Sequence, residues 1–254
     1  DPSASLNELF DVEVVSANDA WAVGSYSENF TEKVLILWWN GTQCSRANYA
    51  SMTGSLQSVI AISPTDVWAV GYYSPSGGTW QTLVMHWTNG QWQVIASPNV
   101  GTGANYLYAS SALSANEIWA AGYYREQNGT TKALAMRWNG SAWVQYAMPD
   151  PPQFLGYYIY GLAAVASNDV WAVGDVGTDD PIDSRTTILH WDGVAWSVSP
   201  SPNIGNDATN LRDVIAVGPN EVWAVGAYGT LGAYQTLILR WNGSAWTIVP
   251  SPNP

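Results

Sequence analysis

One tetrapeptide recurs five times along the chain and dictates how it can fold. Trp-Ala-Val-Gly, or a near copy, begins at Trp21, Trp68, Trp119, Trp171 and Trp223, at spacings of 47, 51, 52 and 52 residues. A period of this length marks a supersecondary unit that cannot bury its apolar surface alone and must stack on its neighbours. Each copy is followed by an apolar run that ends in Trp and an Asx-Gly pair: Trp39-Asn40-Gly41, Trp138-Asn139-Gly140, Trp191-Asp192-Gly193 and Trp241-Asn242-Gly243. The second repeat has Trp87-Thr88-Asn89-Gly90, one residue longer. A further Trp follows at Trp92, Trp143, Trp196 and Trp246, whereas the first repeat has Cys44 near that slot. Together with Trp38 and Trp80, these positions account for all sixteen Trp.

The last repeat reads as four short strands. Leu211–Val217 and Val222–Ala227 are separated by Gly218-Pro219-Asn220-Glu221, and Thr236–Trp241 and Ala245–Val249 flank Asn242-Gly243, a strong hairpin signal. No useful length of chain has helical periodicity. Four-stranded units at a period of about 50 residues predict an all-β, five-bladed β-propeller, each blade a four-stranded antiparallel sheet. The whole chain, 1–254, is expected to be one such domain, with blades at about 6–49, 50–100, 101–152, 153–204 and 205–254. Because it starts before a first strand and stops after a fourth, the ring is expected to close flush without a swapped strand, with blades 1 and 5 as neighbours.

The order of signals resembles the kelch repeat of galactose-oxidase-type propellers: a strand, a short turn, a glycine-ended second strand, an apolar third strand and a Trp opening the fourth. The resemblance covers nearly the whole chain. It departs from the usual kelch pattern in having a single Gly, at Gly24, Gly71, Gly122, Gly174 and Gly226, where that repeat has a pair. A copper radical oxidase of that kind needs a Tyr-Cys pair with two His. Cys44, His86 and His190 offer no such set, so the activity is not carried over. In blade number the chain is also similar to tachylectin-type lectins.

Composition excludes several classes of function. The formal net charge is −12, with only eight Lys and Arg, so there is no cationic stripe to neutralise a phosphate backbone and nucleic acid is not an expected partner. No apolar run is long enough for a membrane helix. The single cysteine, Cys44, has no internal disulfide partner, and no Cys/His ligand spacing is present, so neither a metal nor another cofactor is expected. The first residue, Asp1, fits a processed chain, and the expected location is extracellular.

In antiparallel blades the 1→2 and 3→4 turns share one rim, and the 2→3 and 4→1 loops share the other. On the first rim the repeats agree, as in Asn18-Asp19, Thr65-Asp66, Asn116-Glu117, Asn168-Asp169 and Asn220-Glu221, whose carboxylates read as turn chemistry. The Asn-Gly-Thr/Ser turns at Asn40, Asn139 and Asn242 match glycosylation acceptors, as do Asn29-Phe30-Thr31 and Asn128-Gly129-Thr130. Asp192-Gly193-Val194 and Asn89-Gly90-Gln91 do not match, so the slot calls for a turn rather than a glycan. His86 and His190 share one repeat slot with Trp38, Arg137 and Arg240, and read as blade-surface residues.

The second rim varies, and binding residues concentrate on such loops. Tyr26, Tyr73, Tyr124 and Tyr228 follow the repeat Gly by two residues, with Trp80, Tyr72, Tyr123, Tyr157, Tyr158 and Tyr234 nearby. Flat rings beside amides and hydroxyls suit sugars. The inner strands carry Asp11, Ser58, Ala109, Gly161 and Asp213 in one slot, and Phe10, Gln57, Tyr108, Tyr160 and Arg212 in the slot before it. The expected function is therefore a non-catalytic, carbohydrate-binding module using Tyr26, Tyr73, Tyr124, Tyr228, Trp80, Tyr108, Tyr160 and Arg212. One alternative is a glycoside hydrolase or lyase in which Asp11, Glu13 and Asp213 act at the channel mouth. Another is a scaffold whose partner is a protein. The acidic loop Asp179-Asp180-Pro181-Ile182-Asp183 fits no calcium-loop spacing.

Overall fold

The computed structural model describes residues 6–152, 156–177, 184–204, 208–230 and 233–253. Its strands form five four-stranded sheets, each from four strands consecutive in sequence, so among the described residues no strand is exchanged between sheets. The first sheet comprises β1 (Leu6–Ser16), β2 (Asp19–Glu28), β3 (Thr31–Trp39) and β4 (Cys44–Arg46). The second has β5 (Gly54–Ser63), β6 (Asp66–Tyr73), β7 (Gln81–Thr88) and β8 (Gln91–Val94). The third has β9 (Asn105–Ser114), β10 (Glu117–Arg125), β11 (Thr131–Trp138) and β12 (Trp143–Tyr146). The fourth has β13 (Gly156–Ala166), β14 (Asp169–Gly177), β15 (Arg185–Trp191) and β16 (Trp196–Val198). The fifth has β17 (Ala208–Gly218), β18 (Glu221–Thr230), β19 (Ala233–Trp241) and β20 (Trp246–Ile248). All four strands read in the last repeat are present, the first three longer than their apolar runs indicate. Among the described residues no helix is long and apolar enough to cross a membrane.

The Asx-Gly hairpins form for a local reason. The Asn40 Oδ1 accepts the amides of Thr42 and Gln43, both at 3.0 Å, and Asn242 does the same for Ser244 and Ala245. The following glycine takes φ near +90°, at Gly41 and Gly243 alike, which a side chain would oppose. A second lock appears where the fourth strand ends. In the Ser-Pro-Asn segments, the Asn99, Asn203 and Asn253 amide oxygens accept the backbone N–H of Thr82, Thr186 and Thr236, tying each tail to the start of its own third strand.

Contacts divide the chain into two compact units, residues 1–120 with 137–144, and residues 121–136 with 145–254. In the first unit the core gathers Trp21, Ile36, Leu56, Leu83, Met85 and Trp92. In the second it gathers Trp171, Ile188, Leu211, Leu237, Leu239 and Trp246. In each unit the repeat Trp of one sheet enters the pair of Trp flanking the hairpin of the next. Trp21 meets Trp87 at 4.9 Å and Trp92 at 5.3 Å between ring centroids, and Trp68 meets Trp138 at 5.0 Å and Trp143 at 5.9 Å. Trp171 meets Trp241 at 5.0 Å and Trp246 at 5.4 Å. These tilted and edge-on geometries are the favoured ones for aromatic quadrupoles.

A planar group then covers the repeat Trp from the neighbouring third strand. His86 stacks on Trp68 at 3.8 Å, His190 on Trp171 at 4.0 Å and Trp38 on Trp21 at 5.9 Å, while Arg137 and Arg240 lie over Trp119 and Trp223 at 5.6 and 5.4 Å. The rim carboxylate holds the far side of each cover: Asp19 accepts from Trp38 at 2.8 Å, Asp66 pairs with His86 at 2.7 Å, Glu117 with Arg137 at 2.9 Å, Asp169 with His190 at 2.8 Å and Glu221 with Arg240 at 3.3 Å. The reading of these acids as turn residues therefore understates them, because they reach across to the third strand and clamp the layer over the core.

Removing the wedge should be costly. Trp171→Ala is expected to lower the unfolding free energy by about 3–5 kcal/mol in urea titrations, whereas Val194→Ala, at an exposed turn, should change it by less than about 0.5 kcal/mol.

Candidate functional site

The repeat glycine and the inner strand are coupled by a bulge. Between β1 and β2 the register slips from Leu9 to Asp11, between β5 and β6 from Leu56 to Ser58, between β13 and β14 from Ile159 to Gly161, and between β17 and β18 from Leu211 to Asp213. The residues passed over are Phe10, Gln57, Tyr160 and Arg212. A bulge leaves one residue unpaired and re-aims its side chain. The strand opposite approaches so closely that a Cβ on Gly174 or Gly226 would overlap the carbonyl oxygen of Tyr158 or Asn210.

In the second unit two bulge residues meet in a cleft of about 760 Å³. It lies at the end of the sheets where second strands finish and inner strands begin, the end carrying the variable loops. Tyr160 from β13 and Arg212 from β17 line it with Tyr123 and Arg125 from β10, Tyr158, Asp175 from β14, Ser184, Asn210 and Tyr234. The Arg212 guanidinium carbon sits 4.6 Å from the centre of the Tyr160 ring. Tyr123 meets Tyr158 edge-on at 5.2 Å and Tyr160 at 6.4 Å, so the phenols form a connected aromatic wall.

Asp175 is the cleft's carboxyl among the described residues. It is 9% exposed and pairs across the ladder with Tyr158 on β13 and Thr186 on β15. Burial pushes its pKa up from the usual 3.8 to about 6, against the opposing attraction of Arg212. Tyr160 is held above the ordinary phenol range, first by burial and then by the nearby Asp175 charge. The cleft thus combines two permanent cations with one carboxyl that changes charge in the mildly acidic range.

The residues named from sequence are distributed differently. Tyr160 and Arg212 line the cleft. Tyr26 is buried in the first unit beneath Arg46, whose guanidinium reaches its hydroxyl at 2.8 Å, and both line a smaller cavity of about 530 Å³ with Leu9 and Leu35. Tyr73 packs against the first core and reaches Gln81 at 3.3 Å, and Tyr228 packs against the second core with its hydroxyl on Gln235. Tyr124 is half-buried, its hydroxyl pushed up by burial against the opposing charge of Lys132. Trp80 and Tyr108 gather around Tyr72 at 5.3 and 6.3 Å, with Tyr106 at 5.1 Å, as an aromatic cluster in the first unit.

Among the inner-strand acids, the Asp11 carboxylate accepts the amides of Val12 and Val59, both at 2.8 Å, which joins β1 to β5. Glu13 is raised by burial and by the Asp11 charge. Asp213 accepts the Val214 amide at 2.8 Å, and its backbone lies so near Gly161 that a Cβ there would crowd it. Residues 179–183 lie outside the described residues, so the acidic loop is not placed. Among the described residues no group of three or more His, Cys, Asp and Glu side chains could hold a metal ion.

The residues that line the cleft but escaped sequence reasoning as a set share a parity. Tyr123, Asp175 and Ala227 each follow the repeat Gly by one residue, and alternation along a strand sends the next residue to the other face. Tyr124 and Tyr228 occupy that next position and stand outside the lining.

No family model matches the chain, and no curated protein sequence matches it. Solved structures do resemble it. A polysaccharide lyase of a family described as ulvan lyase aligns at a TM-score of 0.63 with 11% identity, covering 94% of this chain and 68% of that one. A thermostable family-43 glycoside hydrolase aligns at 0.56 with 8% identity, covering 100% and 97%. YCF48 bound to D1 peptide aligns at 0.51 with 12% identity, covering 97% and 81%. At these identities the likeness establishes the fold, a β-propeller, which the five four-stranded sheets make five-bladed.

The buried carboxyl gives a pH signature. A carboxyl whose folded pKa is raised binds more protons folded than unfolded between about pH 4 and 6, so its contribution to stability falls as pH rises through that window. Asp175→Asn is expected to remove that fall, worth up to about 3 kcal/mol for a shift of this size, and so to equal or exceed the parent's stability at pH 7. Denaturant titrations of both proteins at pH 4, 5, 6 and 7 measure it.

Proposed function

We propose that this protein is a carbohydrate-binding module whose site is the cleft of the second unit. The observation that carries the reading is the convergence there of four phenols, Tyr123, Tyr158, Tyr160 and Tyr234, with the Arg212 guanidinium, the Asn210 amide and the Ser184 hydroxyl. Phenol rings cover the C–H faces of a pyranose, while amide, hydroxyl and guanidinium groups take its hydroxyls. The volume suits a ligand of a few sugar rings. The likeness to a polysaccharide lyase and a glycoside hydrolase supports carbohydrate as the ligand class, and a polymer of that kind fits an extracellular setting.

Binding is favoured over hydrolysis by the acid inventory. Glycosidases generally need two carboxyls facing one bond, and among the described lining residues Asp175 is the single one. Asp11 is engaged with the backbone of the neighbouring strand, which favours an architectural role for that acid.

A glycan array followed by titration calorimetry tests the reading. At least one saccharide class is expected to bind, with Tyr123→Ala weakening it by about tenfold and Tyr73→Ala leaving it unchanged. Absence of binding to every saccharide class, or a silent Tyr123→Ala, contradicts it, and capture of peptides alone would redirect the cleft to a protein partner.

A further inference from the structure

The saccharide reading, on which this inference rests, leaves the class of sugar open, and the charge distribution narrows it. The chain carries twenty Asp and Glu against eight Lys and Arg. Two of those eight, Arg125 and Arg212, line the cleft beside one carboxyl among the described residues, Asp175. Among the described lining residues, this acidic chain has thus placed more cations than carboxylates at an aromatic cleft. Arg212 is exposed, sits on a bulge and is braced against the Tyr160 ring. A braced guanidinium presents its fork of N–H donors with less rotamer entropy left to lose, and that fork matches a carboxylate or sulfate oxygen pair.

We propose that the cleft selects saccharides bearing an anionic substituent, with Arg212 as the residue that takes the anion and Asp175 as its internal competitor. Arg212 attracts the Asp175 carboxylate within the cleft, and an incoming anion divides that attraction. Protonating Asp175 removes the competition, so an anionic sugar binds more tightly in mild acid, while a neutral sugar of the same shape gains nothing.

The groups around Asp175 make it the controlling titration. Tyr158 and Tyr160 face it from β13, Thr186 beside Arg185 from β15, Arg212 from β17, and Tyr123 and Arg125 line the same cleft from β10. Phenols and guanidiniums as classes change charge far above neutral pH, which among the described lining residues leaves the carboxyl to respond between pH 5 and 7.5.

Calorimetry on the intact chain with trigalacturonate, its methyl ester and a sulfated galactotriose, at pH 7.5 and 5.0, tests the proposal. The acid or the sulfate is expected to bind about tenfold or more tightly than the ester, a preference that Arg212→Gln abolishes and Arg212→Lys reduces. Trigalacturonate affinity is expected to rise several-fold from pH 7.5 to 5.0 in the parent and to stay flat in Asp175→Asn, which reads the competition without altering Arg212. Equal binding of ester, acid and sulfate overturns the charge selection and leaves the saccharide reading standing. A pH gain that persists in Asp175→Asn overturns the competitor role, and failure of all three ligands overturns the charge selection, while the saccharide reading stands or falls on the glycan array.

Discussion

The insertion of a repeat Trp into the paired Trp of the following sheet, made by Trp21, Trp68 and Trp171, is the interaction on which the rest depends. A four-stranded antiparallel sheet of this kind has two apolar faces and no means of covering either alone. Trp171 against Trp241 and Trp246 covers part of one face by a large, flat and oriented contact. That contact fixes the angle at which the next sheet stands as well as the area it buries. The clamp above it, a planar group held by a rim carboxylate, keeps the Trp from tilting out, and three different residue types, Trp, His and Arg, perform it.

The same repeat also constructs the site. In four of the sheets the glycine that closes the tetrapeptide lies opposite a bulge, and the bulge residue is freed from the ladder and turned outward. Where that residue is Tyr160 in one sheet and Arg212 in the next, a cation is laid over a ring in a cleft that scaffold residues have already shaped. The first unit holds Phe10, Gln57 and Tyr108 in the corresponding slots, with no cation among them, and its polar groups are used otherwise, as where Arg46 bonds to the buried Tyr26. The scaffold repeats while the chemistry does not.

Much of this was legible in the sequence because it is local. The Asx-Gly hairpins, the four strands per repeat, the sheet count and the end of the sheets that varies all follow from turn chemistry and alternation. Tyr160 and Arg212 were singled out by their slot on the inner strand. Two things were hidden. The bulge resets parity on one strand only, so that Tyr123 and Asp175, four residues after a repeat Trp, share the cleft with Arg212, eleven before one, a combination that simple alternation does not reveal. The clamp was hidden because Trp38, His86 and Arg137 look unrelated until they are stacked on the core, where a flat face and an N–H are all that the position asks for.

The cleft formed by the bulge residues is the central claim, and a crystal structure of the protein soaked with trigalacturonate tests it most directly. The account expects sugar density against the Tyr123 and Tyr160 rings, with a carboxylate on the Arg212 guanidinium. Sugar bound elsewhere, for instance in the smaller cavity beside Arg46, with the cleft empty, would contradict it.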